Sequence, residues 1–331
     1  MKNCLLIPTH PPHFSYALKL ISSIDKFNTD TMGLDVFLVI NRSSHNSLVN
    51  RISKCSFSNI SLNILFLDDI ICKLFKISTN PTEDLEKVFK DKFSFQSLKK
   101  ILTLKYLVTI EKYDVVYVMD SEGLFIRPFS FNSIISNYLN KKRVFFNSKQ
   151  RNTINGLWPQ NKISKEILKT ELDPPGWLLE NYLWIFEKKI VIDFFNLIFK
   201  DLHKLDDLIL KFPIRTFVEI VYYHFIFINN SIYNYSFIDT FKLYEAYLDK
   251  DDLDLMLNEK CCLMEGTCKL ITFYPHSLDK ISKLYTDENI INLRVHERPE
   301  VNQFNINFLK NTKSVLCVNS GEFPLSFEIN T

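Results

Sequence analysis

The chain has 331 residues, 46% of them hydrophobic, and a formal net charge of +2. That is ample apolar sequence for a large core, and the balanced charge excludes binding driven mainly by attraction to phosphates, so no nucleic-acid partner is expected. Cys4, Cys55, Cys72, Cys261, Cys262, Cys268 and Cys317 are odd in number and lack paired CxxC spacing, which reads as reduced thiols in a cytoplasmic protein.

The apolar run Cys4–Pro8 is too short for a secretion signal, because Thr-His-Pro-Pro-His interrupts it. It suits a buried first strand ending in a loop that proline keeps from being helical. Phe14, Ala17, Leu18 and Ile21 then recur at helical spacing. Leu34–Ile40 reads as a second strand stopping at Asn41-Arg42, and Leu62–Leu67 as a third stopping at Asp68-Asp69. Leu98–Ile110 reads as an amphipathic helix, and Asp114–Met119 as a fourth strand that ends at Asp120-Ser121-Glu122. Alternating strands and helices, with polar residues at the strands' carboxyl ends, predict an open α/β sheet whose ligand binds along that edge. Thr9, His10, Asn41 and Arg42 lie on the same edge.

Beyond residue 130 the pattern is less regular. Arg143–Asn147 reads as a strand, 151–175 as a long polar loop and Trp184–Val191 as a strand. A helix over Ile192–Phe199 and an all-round apolar helix over Phe217–Ile228 follow. Leu270–Phe273 and Ile291–Val295 read as short strands followed by His276 and His296. The expected organisation is one domain over residues 1–331, with a regular half (1–130) and an irregular half (131–331). No apolar run approaches the roughly 18–20 residues of a membrane span, so a soluble protein is expected, with at most peripheral contact at the inner face of a membrane.

Asp-x-Glu after a buried strand offers two hard carboxylates on one side of a turn, a set suited to Mn²⁺ or Mg²⁺. A divalent cation in turn neutralises a departing diphosphate. A three-residue acidic pattern is weak alone, and an ordinary polar turn is its bland alternative. The surrounding sequence adds to it. FQSLKKILTLKYL followed by YDVVYVMDSEGLFIRPF resembles the GT-A glycosyltransferases, particularly bacterial enzymes that build surface polysaccharide. The likeness centres on residues 95–130, with Glu122 where many members have Asp.

The resemblance implies a GT-A-like open mixed sheet flanked by helices, a nucleotide-sugar donor such as a UDP-sugar in the nucleotide-sugar-binding half (1–130), a glycan or glycolipid acceptor in the acceptor-binding half (131–331), and Mn²⁺. It implies that Asp120 meets metal or donor ribose, that Glu122 ligates metal, and that Lys99 or Lys100 lies near the donor, a solvated helix face being the alternative. It also implies a late histidine ligand, His276 before His296, with Lys280 at the diphosphate. For an inverting hexosyltransferase a general base is needed. Glu219 is the first candidate, since its apolar helix would desolvate it, although pairing with Arg215 would serve equally. Glu180, in a Trp-rich segment, is the second. His224 reads as a core histidine. The rival functions are a nucleotidyltransferase, which the glycine-free Thr-His-Pro-Pro-His loop disfavours, and a non-catalytic carbohydrate-binding protein of the same fold.

Overall fold

The computed structural model describes residues 1–31, 33–76, 92–149, 158–180, 184–200, 216–259, 267, 277–295, 308, 312 and 314–319. Four strands form a parallel array: β1 (Asn3–Pro8), β2 (Leu34–Ile40), β3 (Ile60–Phe66) and β4 (Val115–Val118). They are ordered β3-β2-β1-β4. β7 (Trp184–Glu187) closes the array antiparallel to β4, with Val118 opposite Trp184. The central sheet is thus mixed and mostly parallel, flanked by helices, as the strand–helix alternation predicts.

β1 and β4 consist of near-continuous apolar residues with almost no exposure, as strands covered on both faces require. Each Leu, Ile or Val so buried contributes about 1.5–3 kcal/mol relative to exposure. α1 (Phe14–Phe27) buries Phe14, Ala17, Leu20, Ile21 and Ile24 along one stripe. α2 (His45–Ile52) and α3 (Leu67–Phe75) follow β2 and β3. α4 (Lys92–Thr109) lies deepest, packed on β4 and β1 and touching α3 and two later helices.

After β5 (Gly123–Phe125) come α5 (Phe131–Lys141) and β6 (Arg143–Phe146). The sequence pattern places a loop over 151–175, whereas residues Trp158–Leu168 form a helix, α6. Pro159 misleads there: proline is tolerated in the first helical turn, where its missing N–H has no intrahelical partner to lose. The strand expected over Trp184–Val191 stops at Glu187, and α7 (Lys188–Ile198) starts at once, its first N–H donating to the Asp114 carbonyl at 2.8 Å. α8 (Val218–Ile228) is buried nearly all round, as expected.

The C-terminal half is woven into the N-terminal one. Besides β7 in the central sheet, β8 (Ser236–Asp239) pairs parallel with β6. β9 (Asn292–Val295) and β10 (Leu316–Asn319) join β5 in a three-stranded sheet. The segment expected to be a strand at Leu270–Phe273 lies outside the described residues. No described helix is long and apolar enough to cross a membrane.

Two contacts hold the later segments in place. Asn147, at the end of β6, exchanges backbone hydrogen bonds with Trp177 at 3.0 Å each. A Cβ at Gly176 would lie 2.3 Å from the Asn147 carbonyl oxygen, so only glycine fits this approach. Gly176→Ala is therefore expected to lower the unfolding free energy by on the order of 2 kcal/mol in denaturant titration, by forcing the two backbones apart.

The second contact is His224, fully buried as expected of a core histidine. Its Nδ1 lies 2.8 Å from Ser164 Oγ and its Nε2 3.0 Å from the Leu172 carbonyl, tying α6 to α8. Burial depresses its pKa from 6.5 to about 4. The unfolded chain therefore takes up a proton that the folded chain refuses. Stability is fully present above pH 6.5 and lost as pH falls through that window to about 4, at up to about 1.4 kcal/mol per pH unit. His224→Gln should flatten that part of a stability–pH curve measured by chemical denaturation.

Candidate active site

Parallel strands bring their carboxyl ends to one edge, and the register fixes their relative heights. Leu6 pairs with Val118, so the chain runs two residues past the pairing to reach Asp120, level with Pro8. Ser121 and Glu122 turn the backbone into β5. The two carboxylates meet different partners. Asp120 Oδ1 lies 2.9 Å from Lys100 Nζ, and Glu122 Oε1 lies 2.5 Å from His13 Nδ1.

Lys100 is the hub of the site. Its side chain is 7% exposed, and its ammonium also lies 2.6 Å from Glu219 Oε1 and 4.5 Å from the centre of the Trp184 ring. Three separate elements thus converge on this residue of α4: the Asp120 turn, α8 and β7. Burial disfavours its charge, yet Asp120 and Glu219 outweigh burial and raise its pKa above the ordinary lysine range. Asp120 is pushed upward by burial and by repulsion from Glu122 and Glu219, against the pull of Lys100. For Glu122, burial acts upward, but the hydrogen bond and charge of His13 prevail and lower its pKa.

The other predicted residues take distinct places. Lys99 is buried too, its Nζ donating to the Thr9 carbonyl at 2.9 Å, so neither lysine lies on a solvated face. Lys99 ties α4 to β1, and Lys100 meets Asp120. The Thr9 hydroxyl is buried without a hydrogen-bond partner among the described residues. His10 stacks on His13 at 4.1 Å between ring centres and bonds Gln96 Nε2 at 3.3 Å. Asn41 is buried, while Arg42 lies 4.4 Å over the Phe66 ring and pairs with Asp69 at the outer edge.

Glu219 is fully buried, and its partner among the described residues is Lys100. Arg215, its alternative partner, lies outside the described residues. Glu180 is also fully buried, at the end of the segment anchored by Gly176. The four residue steps to Trp184 place it within about 14 Å of that residue. Lys280 is committed to Asp249 at 2.8 Å and Asp252 at 3.7 Å. His276 and His296 lie outside the described residues. Among the described residues no three His, Cys, Asp or Glu side chains converge as a metal cluster.

Sequence reading misses His13 and Trp184. His13 sits in the quoted loop, but nothing in the spacing signals that it reaches Glu122, more than a hundred residues later. Trp184 reads as a strand residue, and only the antiparallel pairing of β7 places its ring against Lys100.

Lys100→Met removes the cation between two carboxylates, one of them fully buried, and should cost about 3–5 kcal/mol of stability. In the double variant Lys100→Met with Glu219→Leu, most of that loss should return, because the fully buried carboxylate is gone and Asp120, with 36% of its side chain exposed, is still solvated by water. Denaturant titration of the single and double variants checks both values.

No protein-family model matches the chain. No curated protein matches it either. Among solved structures, it is similar to mouse xyloside xylosyltransferase 1 in its apo form, at 14% identity over 72% of this chain and 85% of that one, with a TM-score of 0.41. It is also similar to the apo structure of the bifunctional glycosyltransferase WbbM, at 15% identity over 66% of this chain and 38% of that one, with a TM-score of 0.37. TM-scores below 0.5 establish neither family nor activity.

Proposed function

We propose that the chain is a metal-assisted glycosyltransferase that moves a sugar from a nucleotide-diphosphate donor, a UDP-sugar, to a glycan or glycolipid acceptor. The observation that carries this reading is the placement of Asp120 and Glu122. They lie on one turn at the carboxyl edge of the sheet, each held by its own cationic or ionisable partner. That edge is where open α/β sheets bind ligands. The resemblance of residues 95–130 to enzymes of surface polysaccharide synthesis gives the acceptor its proposed setting.

The charge balance supports a role for a divalent cation. Asp120 and Glu219 flank one ammonium, that of Lys100, and the third carboxylate of the turn, Glu122, lies beside His13. An anionic diphosphate approaching this turn meets more negative than positive fixed charge, so further positive charge has to accompany it. Mg²⁺ and Mn²⁺ suit the donor set: both prefer hard oxygens and bind phosphate substrates through one or two carboxylates. Asp120 and Glu122 would hold the ion, which when bound supplies Lewis-acid neutralisation of the leaving diphosphate.

The remaining residues orient. Glu219 holds Lys100, and Lys100 holds Asp120, so Glu219 is a positioning residue acting through the ammonium. Glu180 and Glu219 expose no surface, and the proposal places neither against the acceptor hydroxyl. Thr9, His10, Asn41 and Arg42 border the donor side, with Gln96 fixing the His10 ring.

Hydrolysis of a panel of nucleotide sugars with Mn²⁺ tests the proposal, alongside calorimetric titration with UDP. One accepted donor is expected, with Asp120→Asn combined with Glu122→Gln lowering its turnover about 100-fold or more. Unchanged turnover and unchanged Mn²⁺-dependent nucleotide binding in that double variant would sink the assignment.

A further inference from the structure

A glutamate at position 122 reaches further than an aspartate would, but it has an extra rotatable bond to order before it can hold an ion. Its side chain is 19% exposed, so a cation can reach it from solvent. Both of its oxygens already have partners. Oε1 lies 2.5 Å from His13 Nδ1, and Oε2 accepts from Ser121 Oγ at 3.2 Å. A carboxylate offers about four lone-pair sites, so each oxygen keeps one for a cation.

Distance decides what His13 does at this turn. Two neighbouring ligands of an octahedral ion, with bonds of about 2.1 Å, stand about 3 Å apart. At 2.5 Å, Nδ1 and Oε1 are hydrogen-bonded to each other and do not flank an ion. Hard cations also prefer oxygen to imidazole nitrogen. His13 is therefore a partner of the ligand, and such partners fix a ligand's orientation. The histidine is itself held in place. Its ring stacks on His10 at 4.1 Å and meets the Tyr16 ring edge-on at 5.4 Å. His10 Nδ1 in turn lies 3.3 Å from Gln96 Nε2. Gln96 stands one turn before Lys100 on α4, and residues four apart share a helix face. One face of α4 thus reaches both carboxylates: Asp120 through Lys100, and Glu122 through Gln96, His10 and His13.

We infer that His13 is a positioning residue for the cation, its Nδ1–H holding Glu122 in the orientation that receives Mn²⁺ or Mg²⁺. The inference rests on the metal-assisted reading of the acidic turn. It assigns His13 a hydrogen bond, so a neutral donor at the same place has to serve as well.

Electron paramagnetic resonance, counting free Mn²⁺ as the full chain is titrated with and without UDP, tests this. His13→Phe keeps a ring against His10 and Tyr16 but removes the donor, and Mn²⁺ affinity should fall at least about tenfold. His13→Asn can place its amide nitrogen where Nδ1 stands, and should recover most of that affinity. Unchanged or tighter Mn²⁺ binding by His13→Phe overturns the inference, His13 then filling space or competing with the ion. So does His13→Asn binding as weakly as His13→Phe. If His13→Phe fails to fold, nitrogen NMR of the histidine rings with Mg²⁺ decides. The His13 ring, assigned by its loss in His13→Asn, should shift as Mg²⁺ binds while Nδ1 keeps its proton. A ring that does not respond, or that loses the Nδ1 proton to the ion, overturns the role. Absence of Mn²⁺ binding by the unmodified protein instead sinks the metal-assisted reading, and this inference with it.

Discussion

An ammonium with almost no exposure has to be paired, and the pairing of Lys100 sets the geometry around it. Transfer of such a group out of water costs several kcal/mol, so α4 can occupy its deep position only if carboxylates come to meet it. Asp120 arrives from the end of β4 and Glu219 from the first turn of α8, at 2.9 and 2.6 Å. The Trp184 ring of β7 lies 4.5 Å from the same charge and adds a cation–π contact. One lysine therefore fixes how two halves of the chain, far apart in sequence, sit around the acidic turn.

The buried ion pair adds little net stability compared with an apolar replacement, but it specifies a single arrangement. The contrast is Arg42 with Asp69, a pair at the outer edge in which both side chains are about half exposed, 49% each. Water screens that pair, and such exposed contacts contribute little. The sheet edge is thus graded in rigidity. Its interior end, at Asp120, is held by buried charge, and its outer end, at Arg42, can change partner at little cost.

Polar groups in the C-terminal half are handled differently. There the buried side chains are mainly neutral: Ser164 with His224, Tyr138 with Tyr235, Tyr244 with Thr267. Neutral hydrogen bonds tolerate burial far better than ions do. The charged and neutral regions are joined by α8, which presents Glu219 near its start and His224 little more than a turn later.

Local sequence is enough for the α/β alternation, the four parallel strands and the acidic turn at the end of the fourth. Each rests on a short-range signal: apolar runs of strand length, helical spacing in between, and abrupt polar stops. The buried helix over Phe217–Ile228 is legible in the same way, because a segment apolar on every face has no solvated side. Short segments near proline or lysine go astray, as at Trp158–Leu168 and Lys188, where a helix start and a loop look alike locally. Which lysine meets Asp120 depends on the tertiary fold, since Lys99 and Lys100 are adjacent and equal in charge. The helix rotation sends one to the Thr9 carbonyl and the other to two carboxylates. Likewise, only the fold brings Glu219 to Lys100 and His13 to Glu122, because attraction between charges acts through space and leaves no period in the chain.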